Sequence, residues 1–123
     1  LSAVVEKQLH IPLSSQDIYI NVIGGLEAKE PAADLAIITA IVSSFKDKSI
    51  DSNTIVMGEV GLTGEVRSIP QIEIRIKEAA RLGYTKFILP KGNMKEASQL
   101  GIGEVIGIRR IHELLKLLDD KKK

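Results

Sequence analysis

Between Pro31 and Lys46 the apolar residues form two stripes, not one. Leu35, Ile38, Val42 and Phe45 recur at helical spacing along one side, and Ile37 and Ile41 along another. A helix that is apolar on two sides is buried on two sides. The segment therefore predicts a helix lying against a sheet and also against a second element or a neighbouring subunit. Pro31 suits the first helical position, where its missing N–H costs nothing, and Asp34 in the first turn complements the helix dipole. Such a helix needs a core around it. A chain of 123 residues, 44% of them hydrophobic, can supply one as a single domain.

The rest of the chain alternates between helical and extended patterns. Leu1, Val4, Val5 and Leu9 give a short helical stripe ended near Pro12, and Ile18, Ile20 and Val22 alternate as a half-buried strand does. Gly24-Gly25 allows a bend; without a G-x-G-x-x-G pattern the pair is a weak phosphate signal. Residues 46–53 read as a polar loop. Thr54 to Val60 and Glu65 to Ser68 predict two strands, joined as a hairpin by a turn bracketed by Gly61 and Gly64. A second helix is expected from about Pro70 to Leu82, with Ile72, Ile76 and Ala79 on one face and the Glu73–Lys77 pair on the other. Lys86 to Leu89 is a short strand. Asn93 with Glu96 resembles a capping box opening a short helix to Leu100. Glu104 to Ile108 is a further strand, and Ile111, Leu114, Leu115 and Leu118 mark a final amphipathic helix. Residues 1–118 thus form one α+β domain, a mixed sheet with packed helices, and residues 119–123 a disordered tail.

Composition narrows the chemistry. There is no cysteine, so disulfides and thiolate metal sites are excluded, which fits a reducing cytoplasm. His10 and His112 stand far apart and suggest no metal pair. No apolar run reaches the roughly 18 residues of a membrane span. The chain does not begin with Met, and Leu1 lies inside a helical stripe, which predicts a fragment of a longer protein. Charge is uneven. Residues 1–64 hold 4 Lys/Arg against 8 Asp/Glu, and residues 65–123 hold 13 against 8, a net −4 and +5. The basic half offers a surface for phosphates, although charges on helix faces are often only solvated.

Two motifs go further. The first is Glu30-Pro31-Ala32-Ala33-Asp34-Leu35-Ala36; the second is Gly58-Glu59-Val60-Gly61-Leu62-Thr63-Gly64-Glu65-Val66, followed by Ile69 and a helix. Together they resemble the proteolytic domain of Lon proteases, and with Asn21-Val22-Ile23-Gly24-Gly25 and Arg67 they resemble the C-terminal Lon-like domain of the RadA (Sms) family of bacterial DNA repair proteins. The resemblance covers roughly Leu1 to Leu118. It implies the Lon proteolytic-domain fold, related to ribosomal protein S5 domain 2. It also implies cytoplasmic recombinational repair on single-stranded or branched DNA with the RecA recombinase, and assembly as a homo-hexamer. The family's zinc motif and its RecA-like ATPase lie outside this chain, so ATP, Mg and Zn belong to those other parts and no cofactor is expected here.

The catalytic Ser–Lys dyad of the Lon family is broken in this chain. Its serine corresponds to Ala32, which has no oxygen, and its lysine to Glu73, which has the opposite charge. A dyad needs a nucleophile within reach of a base, so no catalytic residue is expected. Relocated serines are the rival for a peptidase: Ser14, Ser15, Ser43, Ser44, Ser68 and Ser98. Ser43 and Ser44 fall at a helix C-terminus, where the dipole opposes a developing oxyanion. Glu27, Glu30 and Asp34 could hold a hard cation, but they also read simply as helix-start chemistry. The basic residues Arg67, Arg75, Lys77, Arg109 and Arg110 are the candidates for sequence-independent contact with DNA phosphates. Two Tyr and two Phe give no aromatic stacking platform. The reading is a hexamerisation and DNA-contacting platform. A Lon-type peptidase and an oligomerisation module without DNA contact are the alternatives.

Overall fold

The structure, a computed structural model, describes residues 31–46 and 48–120. A 3-10 turn, Pro31–Ala33, leads into helix α1, Asp34–Lys46. Strands β1 (Lys48–Ser49), β2 (Thr54–Val56), β3 (Glu59–Val60) and β4 (Val66–Arg67) follow, then helix α2 (Ile72–Arg81) and strand β5 (Lys86–Pro90). A 3-10 turn, Lys91–Asn93, precedes helix α3 (Met94–Gln99). Strand β6 (Glu104–Ile108), a 3-10 segment (Ile111–Leu117) and strand β7 (Asp119–Asp120) complete the order. The N-terminal stripe, the strand at Ile18–Val22, Gly24-Gly25, Ser14, Ser15, His10, Glu27 and Glu30 lie outside the described residues, as do Lys121 to Lys123.

The centre is a parallel sheet in the order β2-β5-β6, with Ile55 opposite Phe87 and Ile88 opposite Ile106. Parallel strands are covered on both faces, and successive residues here divide between two cores. Val56, Ile88 and Ile108 join α1 on one side, while Ile55, Phe87 and Leu89 join Ile72, Ile76 and Ala79 of α2 on the other. This is an α+β arrangement. Two short antiparallel pairs, β3-β4 and β1-β7, flank the sheet.

Both stripes of α1 are buried within the chain. Leu35, Ile38 and Val42 share one core with Ile37 and Ile41, closed by Ile111, Leu114 and Leu118. The second stripe therefore needs no neighbouring subunit, and the sequence-based reason for placing a subunit contact on this helix disappears.

Other expectations change in detail. The strand expected over Thr54 to Val60 is two strands in different sheets. Met57 N–H still donates to Ile88 O at 3.0 Å, but Gly58 N–H turns to Ala32 O, and Leu35 N–H donates to Gly58 O, both at 2.9 Å. The chain leaves the parallel ladder there to clasp the start of α1. The second helix begins at Ile72, after Gln71 in a left-handed conformation (φ 59°). Asn93 makes no capping bond. Its buried amide bonds Ile69 instead: Ile69 N–H donates to Oδ1 at 2.9 Å, and Nδ2 donates to Ile69 O at 3.0 Å. The last amphipathic segment is 3-10, and Asp119–Asp120, read from sequence as tail, pairs with Lys48–Ser49 from the supposed loop.

Candidate nucleic-acid interface

The three strands of the parallel sheet end at one edge, where ligands of open parallel sheets are usually held. β2 leads there to Gly58 and the β3-β4 hairpin, β5 to Lys91, and β6 to Arg109 and Arg110. The hairpin pairs Glu59 with Arg67 and Val60 with Val66. Its turn closes through Gly64 N–H to Gly61 O at 3.0 Å and Gly61 N–H to Glu65 O at 2.9 Å. Gly64 takes φ 84°, which glycine adopts without steric cost.

The Glu65 carboxylate folds back over this turn. It accepts Thr63 N–H at 3.1 Å, the Thr63 hydroxyl at 2.5 Å and Arg67 Nη2 at 2.8 Å. The Thr63 hydroxyl first, and then Arg67, hold its pKa down at about 2. A side chain at Gly61 would collide with that carboxylate, with Cβ 2.2 Å from Oε2.

Beyond β6, Arg109 and Arg110 run alongside the hairpin. Glu65 and Arg110 form an antiparallel bridge, Val66 N–H donates to Arg109 O at 2.8 Å, and Ile111 N–H donates to Gly64 O at 3.0 Å. The Arg110 guanidinium donates to Thr63 O. Glu113 accepts Arg109 N–H at 2.5 Å and Arg110 N–H at 3.2 Å, and the Arg109 bond is the main reason its pKa is lowered. Its carboxylate fastens the backbone and feels the Arg109 charge as a smaller pull, but among the described residues neither guanidinium makes a direct ion pair.

Of the five basic residues expected to act together, Arg67, Arg109 and Arg110 gather at this edge. Arg75 and Lys77 sit on α2. Arg75 Nε donates to Pro70 O at 2.8 Å, and Lys77 pairs with Glu73 at 2.8 Å. Two members of the edge escaped sequence reasoning. Lys91 follows the buried strand β5 directly, a pattern shared with Arg109 after β6. Leu62, at the hairpin tip, is 85% exposed, and its only signal is an apolar residue inside a glycine-bracketed turn.

Ala32 and Glu73, the two positions expected from sequence to replace a dyad, lie in different surroundings. Ala32 is buried, its methyl in the core with Ile55, Ile72 and Ile76. Glu73 lies on the outer face of α2 in its exposed pair with Lys77. Ser43 and Ser44 end α1, as expected from sequence. Asp34 ties that helix to the hairpin: Oδ2 accepts Val60 N–H at 3.1 Å, and burial, the largest influence, raises its pKa. Among the described residues no cluster of His, Asp and Glu could hold a metal, and no helix is long and apolar enough to cross a membrane.

The family model described as subunit ChlI of Mg-chelatase matches residues 1–93. The DNA repair protein RadA of Synechocystis sp. is 51% identical over 109 residues, 89% of this chain and 20% of that protein. RadA of Bacillus subtilis is 45% identical over 116 residues, 94% of this chain and 25% of that protein. RadA of Escherichia coli strain K12 is 36% identical over 120 residues, 98% and 26% respectively. The chain thus spans only a fifth to a quarter of the length of these relatives.

Proposed function

The chain belongs to the ChlI-model family and, within it, to the domain carried by RadA-type DNA repair proteins, and on that premise we propose that it is their non-proteolytic, DNA-contacting platform. One observation carries the reading: Arg67 and the Arg109-Arg110 pair come from separate parts of the chain to one edge, and among the described residues Arg109 and Arg110 make no direct ion pair. Guanidinium groups so placed suit phosphate oxygens and read no sequence. The platform works on single-stranded or branched DNA in the bacterial cytoplasm, together with a RecA-type recombinase. It assembles as a homo-hexamer alongside an ATPase region, which with its ATP, Mg and Zn lies elsewhere in the whole protein. It performs no peptide hydrolysis. Ala32 offers no nucleophile and Glu73 no amine base, so neither the chain nor an Ala32→Ser variant should cleave casein.

Fluorescence anisotropy with labelled oligonucleotides tests the reading. Binding should be weak, indifferent to sequence and steeply salt-dependent. Three phosphate contacts give a slope of roughly −2.1 to −2.7 in log K against log salt, so affinity should fall roughly 20- to 40-fold between 50 and 200 mM. No binding to single- or double-stranded DNA at low salt would leave an oligomerisation module in its place.

A further inference from the structure

We propose that Leu62 is a wedge that inserts between unpaired or frayed bases, with Arg110 steadying the adjacent phosphate or base. The proposal rests on the DNA-contact reading above and assigns a job to one side chain within it.

Leu62 is the most exposed large apolar residue described. It rides on a tip whose every flank is tied. Glu65 holds Thr63 by both its N–H and its hydroxyl, Arg67 holds Glu65, Arg110 holds the Thr63 carbonyl, and Ile111 N–H holds the Gly64 carbonyl. A turn that only reverses the chain needs neither an apolar tip nor this bracing. A rigid apolar point is what separates stacked bases, and proteins that unstack base steps use leucine and similar side chains for it.

Charge selects the occupant. The tip sets an apolar group beside the Arg110 guanidinium, which makes no ion pair among the described residues, a combination that fits a polyanion with apolar faces. Guanidinium groups both bind phosphate and stack on bases. A second copy fits less well. The other exposed large apolar residues described are Ile74, on α2 beside the Glu73–Lys77 pair, and Leu82, which caps that helix next to the Glu78–Arg81 pair. Those carboxylates are already matched and leave no free negative charge to meet the arginines.

The test uses the whole chain and a forked oligonucleotide carrying 2-aminopurine at the junction, whose fluorescence rises when the base unstacks. Wild type should bind and raise the signal. Leu62→Ser should keep its circular dichroism spectrum and still bind with the wild-type salt dependence, because phosphate contacts set that slope, yet lose the rise; Leu62→Met should retain it. A full rise with Leu62→Ser, or wild-type binding with no rise, overturns the wedge and leaves the DNA-contact reading standing. No wild-type binding at all overturns both. If Leu62→Ser instead turns an oligomer into a monomer in sedimentation without DNA, the tip is a contact between copies and the proposal fails.

Discussion

At the scale of single residues, an exposed carboxylate organises the hairpin and a half-buried one carries a cost. Glu65 titrates at about 2 against an ordinary 4.5. A carboxyl group with a depressed folded pKa supports the folded form fully above its unfolded value and loses that support as pH falls through the folded one. The tip should therefore stay braced at pH 5 and loosen as the pH falls toward 2. Carboxyl-carbon NMR titration should find this low value. Thr63→Val should raise it more than Arg67→Gln does, because the Thr63 hydroxyl is the larger cause. Gly61→Ala should raise it too, by displacing the carboxylate. Asp34 behaves in the opposite sense. Burial raises its pKa above 3.8, so the folded form favours the protonated acid, and this contribution fades as pH rises through the folded value. At pH 7 the ionised group sits in an environment that disfavours it. Asp34→Asn, which can still accept Val60 N–H, should be neutral or slightly stabilising in thermal unfolding. Asp34→Ala, which leaves that N–H without its partner, should cost about 1 kcal/mol.

At the scale of elements, Asn93 substitutes for a missing strand. Its amide gives Ile69 the two bonds that a neighbouring backbone would give, and both residues are buried. Asn93→Ala would strand both polar groups of Ile69, each worth about 1–3 kcal/mol when buried unpaired. Urea unfolding should show a loss of roughly 2–6 kcal/mol, with Asn93→Asp intermediate because it keeps the acceptor. This side chain also marks the limit of what the sequence discloses. Asn93 with Glu96 has the local signature of a cap, whereas its real partner is 24 residues away and leaves no local trace. What depends on nearest neighbours was legible: the α1 stripes, the Gly61/Gly64 hairpin, the strand at Glu104–Ile108 and the Glu73–Lys77 pair. What depends on long-range placement was not. Amphipathicity says that Ile37 and Ile41 are covered but not by what, so a subunit was as good a guess as the 3-10 segment at Ile111–Leu117. The five basic residues were all visible in the sequence. Their division into an edge cluster and a helix pair follows from the Glu65–Arg110 bridge, which joins positions 45 residues apart in the chain.

At the scale of the whole molecule, the question is which of the thirteen basic side chains in residues 65–123 contribute to a DNA surface. Pairing decides the order. A cation already matched to a carboxylate has a nearby anion that repels phosphate, and releasing it first costs that pair. An unmatched cation displaces counterions from DNA at no such cost. Arg109 and Arg110 are unmatched among the described residues, Arg67 is held by Glu65, and Lys77 is held by Glu73 away from the edge. Each lost phosphate contact should flatten the dependence of log K on log salt by roughly 0.7–0.9. Anisotropy titrations at several salt concentrations should therefore show Arg109→Gln and Arg110→Gln each removing about one such step, Arg67→Gln less, and Lys77→Gln almost nothing. These exposed substitutions should change stability by less than about 0.5 kcal/mol, with Arg110 the most sensitive through its bond to Thr63. Equal flattening by Lys77→Gln would move the DNA surface onto α2 and detach it from the hairpin edge.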